Sequence, residues 1–129
     1  MMTPYDKVIN VFHSMFQSNE VLPDGLEQQF FTNAIGEYEG ELTELDYDEE
    51  TNTFKEPPTS PQIQILGMLM YKGYLGRYRD RALKLNNVVG RDIQLTGLAN
   101  TKAQVNRAYE DLVDKIEKKM SKLKVNNFD

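Results

Sequence analysis

Residues that commonly perform chemistry are scarce in this chain. Its 129 residues include one histidine, His13, and no cysteine. This inventory excludes a disulfide framework, a thiolate metal site, a thiol nucleophile and a relay between two histidines. No serine lies in a motif that would pair it with a base, as nucleophilic catalysis requires. We therefore expect neither enzymatic activity nor a cofactor, and His13, close to Phe12 and Phe16, is predicted to be a packing or boundary residue of a helix.

Four polar residues have the alternation found at the start of a calcium-binding loop. They are Asp46, Asp48, Glu50 and Asn52. An EF-hand needs glycine at its sixth position for a sharp turn and glutamate at its twelfth position for bidentate coordination. Thr51 and Pro57 occupy those positions here. A specific calcium site is therefore rejected, which leaves a loosely held divalent ion at an acidic tip or a solvated acidic loop as the alternatives.

A second cluster has the composition of a phosphate-binding surface. It consists of Arg77, Arg79, Arg81, Lys84 and Arg91, interleaved with Tyr71, Tyr74 and Tyr78. The whole chain nevertheless has a net charge of −5, whereas a protein that neutralises many phosphates usually has a basic balance. The sequence also contains no convincing helix-turn-helix pairing. These observations argue against sequence-specific DNA binding.

The charge is divided between the two halves of the chain. Residues 1–58 contain 2 basic and 13 acidic residues, a net charge of −11, and residues 59–129 contain 13 basic and 7 acidic residues, a net charge of +6. Such asymmetry within a small domain is informative about partners. Either the acidic region of one copy meets the basic region of the next, with complementary potentials setting the register, or the two halves neutralise each other within one monomer.

Hydrophobic residues at helical spacing predict four helices that would position these residues. The first covers about residues 4–17 and the second about 25–42, with an acidic outer face. The third is expected to begin at Ser60-Pro61, a cap followed by proline, and to extend to about Leu85. Because apolar residues surround the third helix on all sides, it is expected to be the buried central helix. Its glycines, Gly67, Gly73 and Gly76, indicate close approach to another element rather than a nucleotide-binding fingerprint.

The last helix is expected to begin near Asn100 and to end near residue 124, with Thr101 and Gln104 at the spacing of a capping box. The asparagine pair at 86–87 is predicted to break the third helix. Residues 86–99 would then form a connecting loop or a short hairpin.

The fold class that follows is mainly α. We expect a small bundle of about four helices in a single domain over residues 1–129. Residues 41–58 are predicted to form a long acidic loop or β-hairpin between helices two and three, turning near Glu49–Asn52. No segment is apolar enough for a membrane span, and the N-terminus lacks the layout of a signal peptide.

This order of elements resembles that of the small head–tail connector proteins of tailed bacteriophages, also called adaptor or head-completion proteins. The resemblance depends on the long early helix over residues 26–38, the proline-initiated central helix over 61–83, and Thr96-Gly97-Leu98 leading into Ala108-Tyr109-Glu110-Asp111-Leu112. It is a resemblance of architecture that covers about residues 3–123 and includes no catalytic motif. The loop around 43–56 is more acidic than the family pattern requires.

The resemblance implies a structural virion protein of the neck, assembled in the host cytoplasm. About a dozen identical subunits would form a ring beneath the portal, connect the capsid to the tail and continue the DNA channel. The implied partners are identical subunits, the portal protein and tail or neck proteins. DNA would pass without sequence-specific binding, and no membrane would be involved.

Three groups of residues are candidates for the contacts of such a ring. The acidic group, expected to line the channel or form an acidic interface, is Glu37, Glu39, Glu41, Glu44, Asp46, Asp48, Glu49 and Glu50. The basic group, expected to contact the neighbouring subunit, is Lys72, Arg77, Arg79, Arg81, Lys84 and Arg91. The group expected to dock the last helix on a partner is Tyr109, Leu112, Ile116, Lys119, Met120 and Leu123. The alternative function is a small cytoplasmic helical interaction or regulatory module that binds through that last helix.

Overall fold

Helices make up most of the fold. The computed structural model describes residues 3–15, 22, 25–89 and 96–126 of the chain. Within these ranges the elements are α1 (Pro4–Ser14), α2 (Leu26–Glu41), β1 (Tyr47–Asp48), β2 (Thr53–Phe54), α3 (Ser60–Val89) and α4 (Thr96–Asn126). The predicted fold class, mainly α with a hairpin between the second and third helices, is confirmed.

Local sequence explains where α1 and α3 begin. The Thr3 hydroxyl accepts a hydrogen bond from the Asp6 amide at 3.1 Å, and the Asp6 carboxylate accepts one from the Thr3 amide at 3.2 Å. The same reciprocal pattern starts α3, where the Thr59 amide donates to Gln62 at 2.7 Å and the Gln62 amide donates to the Thr59 hydroxyl at 3.4 Å. Capping boxes of this kind satisfy amides that have no partner inside the helix. Thr59, rather than the predicted Ser60, is therefore the cap of α3.

The other helices pack on α3. α1, α2 and α4 each make their main contacts with it, and its first half is buried, which confirms the predicted central helix. The core consists of Val8, Phe12, Phe30, Phe31, Ala34, Ile35, Tyr38, Leu45, Ile65, Leu66, Met68, Leu69, Met70, Leu75, Leu112, Ile116 and Met120. Burial of these apolar side chains is the main favourable contribution to the free energy of folding.

Glycine allows α1 to lie against α3. A Cβ atom at Gly67 would lie 2.6 Å from Val11 Cβ, and closer still to Val11 Cγ1. That separation is shorter than any normal carbon–carbon contact, so only glycine fits without a shift of α1. Gly73 and Gly76 face rings instead, with Phe30 and Tyr109 at 3.2 Å and 3.5 Å from the corresponding Cβ positions. The close approach predicted for these glycines is confirmed at Gly67 and, less tightly, at Gly73, whereas the separation at Gly76 is an ordinary van der Waals contact.

Two predicted boundaries of the last helices are wrong. The asparagine pair at 86–87 does not break α3, which continues to Val89, and α4 begins at Thr96 instead of near Asn100. Thr101 is therefore inside the helix and does not cap it. Asparagine in a helix costs well under about 1 kcal/mol relative to alanine, and the mutual packing of α3 and α4 outweighs that preference. Of the predicted 86–99 loop, residues 86–89 belong to α3 and residues 96–99 to α4. Residues 90–95 lie outside the described residues, as do residues 16–17 of the predicted first helix.

The contact at Gly67 predicts a destabilising substitution. Gly67→Ala should lower the free energy of unfolding by about 1–3 kcal/mol, because the added methyl group overpacks the contact with Val11. Gly36→Ala is the matched control, since nothing lies within 4 Å of its Cβ position. In the interior of α2 this control should raise stability by up to about 1 kcal/mol. Urea denaturation of both variants measures the difference, and equal stabilities would contradict the close approach.

Candidate functional site

The acidic extension between α2 and α3 folds as a β-hairpin. β1 and β2 pair antiparallel, with Tyr47 opposite Phe54 and Asp48 opposite Thr53. One further backbone hydrogen bond, from the Lys55 amide to the Asp46 carbonyl at 3.1 Å, extends the pairing. The turn over residues 49–52 is where the sequence predicted it. We refer to residues 44–54 as the hairpin.

Aromatic rings hold the hairpin against α1 and α2. The Phe31 ring of α2 lies 5.0 Å from the Tyr47 ring and 6.3 Å from the Phe54 ring in edge-to-face arrangements. Tyr5 of α1 contacts the same Phe31 ring at 4.7 Å, and Leu45 is buried. Two strands of two residues each would not be stable alone in water. The side-chain contacts with the helices therefore set the position of the hairpin.

A polar contact fixes the turn of the hairpin. The Asn52 side-chain oxygen accepts hydrogen bonds from the Tyr47 hydroxyl and from the Gln28 amide of α2, the latter at 3.2 Å. Asn52 also has a positive φ of 54°, in the left-handed region that asparagine tolerates better than most residues. The sequence predicted the turn but not Gln28, since it lies 24 positions away along the chain and belongs to no recognisable motif.

Burial affects the acidity of the tyrosines that hold this region together. Burial raises the pKa of Tyr47 above its ordinary value of 10.0, and the neighbouring carboxylates of Glu49 and Asp48 add to the effect. Burial likewise raises the pKa of Tyr38 in the core and of Tyr5 beside the hairpin. The folded state therefore favours the neutral, protonated form of these three tyrosines.

The acidic residues of α2 are already used within the chain. Glu37 forms an ion pair with Lys72 of α3, and Glu41 forms one with Lys124 of α4 at 3.4 Å. Glu39 accepts a hydrogen bond from the Leu45 amide at 2.9 Å, which ties the start of the hairpin to α2. Both ion pairs join the acidic half of the sequence to its basic half. Intramolecular neutralisation, one of the two sequence-based alternatives, therefore applies to these residues.

The acidic residues of the hairpin differ from Glu37 and Glu41 of α2 because they form no ion pair among the described residues. Glu44, Asp46, Asp48, Glu49 and Glu50 are all exposed. Among the residues that the structure describes, no basic side chain lies within salt-bridge distance of any of them. Asp48 accepts a hydrogen bond from the Glu50 amide at 2.9 Å, which orders the tip. Folding thus leaves five exposed carboxylates on the hairpin without a basic partner among the described residues, and we call them the hairpin carboxylates.

The predicted basic group is only partly described. Lys72 is half-buried and paired with Glu37, whereas Arg77 is exposed. The backbone of α3 includes Arg79, Arg81 and Lys84, but their side chains and the whole of Arg91 lie outside the described part of the chain. Lys72 therefore has a partner within the chain, whereas Arg77 has no acidic partner among the described residues.

Three tyrosines form a ladder along α3. Tyr71 stacks on Tyr74 with ring centroids 5.8 Å apart, and Tyr74 stacks on Tyr78 at 6.3 Å. The ladder begins at the core, where the Tyr71 ring lies 6.4 Å from the Phe12 ring. It ends at Tyr78, which is 39% exposed and lies next to Arg77. The ladder thus leads from the core to a surface of mixed aromatic and basic character.

The apolar residues predicted to dock the last helix are mostly in the core. Leu112, Ile116 and Met120 are buried, and Tyr109 and Leu123 pack partly buried against the core. Lys119 is exposed. The apolar side of α4 therefore packs within the monomer, and the exposed side of the helix is mainly charged and polar.

His13 joins the ends of two helices. His13 lies in the last turn of α1, and Glu27 lies in the first turn of α2. The distance between His13 Nε2 and Glu27 Oε1 is 2.5 Å. The His13 side chain is 51% exposed. This placement agrees with a boundary residue.

A groove runs between α2 and α4 over α3. It contains two adjoining cavities of about 680 Å³ and 340 Å³, which share Glu37, Leu69 and Lys72. The Glu37–Lys72 ion pair lies between them. Neither in this groove nor in the rest of the described ranges do three carboxylate or imidazole groups converge to hold a metal ion. No helix there combines the length and apolarity needed to cross a bilayer.

Comparison with known proteins identifies no relative of this chain. No family model, curated protein or solved structure matches it. The functional argument therefore depends on the residues and geometry described above.

Asn52 and Asp46 both have a positive φ, but we expect replacement by glycine to lower stability only at Asn52, because of the hydrogen bonds that its side chain accepts. Asn52→Gly should lower the free energy of unfolding by about 1–2 kcal/mol, because the Tyr47 hydroxyl loses its acceptor and the Gln28 amide keeps only its hydrogen bond to the Tyr47 hydroxyl, at 3.3 Å. Asp46→Gly is the control, since Asp46 has a φ of 52° but is exposed. It should change stability by less than about 0.5 kcal/mol. Equal effects in urea denaturation would mean that the side chain of Asn52 contributes nothing.

The raised tyrosine pKa values predict a loss of stability at high pH. The unfolded chain releases its tyrosine protons near the ordinary pKa of 10.0, before the folded chain does. The stabilisation is therefore complete below that pH and decreases as the pH rises through the folded pKa. Urea midpoints measured from pH 8 to pH 11.5 should fall above about pH 10. Tyr38→Phe should make the fall shallower, and an unchanged slope would contradict the assignment to Tyr38.

Proposed function

We propose that this chain is a structural virion protein, one subunit of a ring that lies beneath the portal, connects the capsid to the tail and continues the DNA channel. Its partners would be identical subunits, the portal protein and tail or neck proteins. The proposal combines the resemblance of the sequence to head–tail connector proteins with the charge distribution of the folded chain. It involves neither catalysis nor a cofactor.

One observation carries the proposal most directly. The hairpin carboxylates are exposed, ordered and without a basic partner among the described residues. These five negative charges fall within seven positions of the chain, and like charges repel one another unless a cation or a basic surface compensates them. A chain that orders such a set, while pairing its α2 carboxylates internally, has a surface suited to an external role.

That external role fits a channel for DNA. Carboxylates at the wall of a narrow channel repel the phosphates of duplex DNA, because the low-dielectric wall focuses the field. The duplex then slides instead of binding. The net charge of −5 for each subunit multiplies around a ring, which strengthens the effect.

A closed ring also needs two different contact surfaces on each subunit. Head-to-tail contacts close into a ring when the rotation between neighbours divides a full turn. The chain supplies exposed Glu49 and Glu50 at the hairpin tip and exposed Arg77 on α3 for these contacts, and Glu44, Asp46 and Asp48 remain for the channel wall. Complementary potentials of this kind set the register and raise the rate of association.

The alternative, a regulatory module that binds through the last helix, receives less support. The apolar residues of α4, Leu112, Ile116 and Met120, are buried in the core, and α4 packs on α3. Binding through them would require α4 to leave the core first. We therefore retain the connector as the proposed function.

Electron microscopy tests the proposal. The purified chain, alone at low ionic strength and together with a portal protein, should form rings with a central hole in negative stain. Light scattering should give a mass of about a dozen subunits, and the rings should not retard duplex DNA in a gel. A strict monomer under both conditions would contradict the proposal, and so would rings that bind duplex tightly.

A further inference from the structure

The surface formed by Arg77 and Tyr78 of α3 has the character of a protein interface. Tyr78 is the large hydrophobic side chain that remains exposed among the described residues. Arg77 precedes it on α3, about 100° away around the helix axis, and lines the groove between α2 and α4. It is exposed, and no carboxylate with a described side chain lies within salt-bridge distance. Tyrosine and arginine are enriched at interface centres, where they contribute most of the binding energy.

The sequence of α3 from Arg77 onward is basic, which indicates an acidic partner. Residues 77–89 of α3 contain four basic residues and one acidic residue, a net charge of +3. Residues 44–50 contain five acidic residues and no basic residue, a net charge of −5. Every copy of the chain therefore carries both members of a complementary pair.

The intramolecular ion pairs narrow the choice of contact residues. Lys72 and Lys124 are already paired with Glu37 and Glu41, so these four residues gain little from a new partner. The hairpin carboxylates and Arg77 are left without one among the described residues. The tip of the hairpin is also held in place by Asn52, so little ordering entropy would oppose its binding.

We propose that the Arg77–Tyr78 surface binds the hairpin tip, Glu49 and Glu50, of a second copy of this chain. The inference rests on the proposed assembly into a ring and specifies its contact. Glu49 and Glu50 lie against the guanidinium of Arg77, and the Tyr78 ring is covered by the hairpin. The contact joins two different surfaces, so each copy uses its hairpin on one side and its α3 surface on the other, as a ring requires.

A charge-reversal experiment tests the contact. Arg77→Glu and the double variant Glu49→Lys/Glu50→Lys should each weaken self-association at low ionic strength by about tenfold or more, because like charges then face each other. Mixing the two variants in equal amounts should restore association, because both kinds of contact in the mixture then join opposite charges. Sedimentation velocity at several protein concentrations measures the association constants.

Matched variants control for the change in net charge. Lys115→Glu and Glu110→Lys/Asp111→Lys make the same charge changes at exposed positions of α4 and should associate as the unchanged chain does. If the unchanged chain assembles and Arg77→Glu assembles equally well, the inference is overturned while the ring stands. The inference is also overturned if each charge-reversal variant associates weakly alone and their equal mixture associates no better. An unchanged chain that never self-associates overturns the ring and this contact together.

Discussion

The packing of three helices on α3 is the interaction on which the rest of the structure depends. α1, α2 and α4 make their main contacts with α3, so the apolar side chains of its first half hold the bundle together. Gly67 allows the closest of these contacts, because any side chain there would overlap Val11. The position of α1 then fixes Tyr5, which together with Phe31 supports the hairpin. The acidic surface is thus positioned, through two layers of contacts, by the burial of α3.

Electrostatics has a small part in the stability of the fold. The ion pairs of Glu37 and Glu41 are at least partly exposed to solvent, and such pairs contribute only about 0–1 kcal/mol each. They give Glu37 and Glu41 partners within the monomer, whereas the hairpin carboxylates have no basic partner among the described residues. Neutralisation within the monomer therefore applies to Glu37 and Glu41, and contact between the acidic and basic regions of two copies stays a prediction.

Sequence reasoning succeeded where a pattern is local and repeated. Helical spacing of apolar residues predicted the elements and the central helix, and the polar run around Glu49–Asn52 predicted the turn. It failed at the asparagine pair at 86–87, because the preference of a residue for ending a helix is weaker than the packing of α3 on α4. It also did not predict the contact of Gln28 with Asn52 or the division of the acidic residues, since both depend on neighbours that only the folded chain brings together.

The way the hairpin is attached has a mechanical consequence. Its strands are two residues long, and its position depends on the rings of Tyr47 and Phe54 lying against Phe31. A load applied at the tip therefore passes into α2 through these rings and through Gln28, instead of being absorbed by bending of a loose loop. The hairpin is therefore stiffly attached to α2, and a passing or docking macromolecule that pushes on its tip would strain the helices directly.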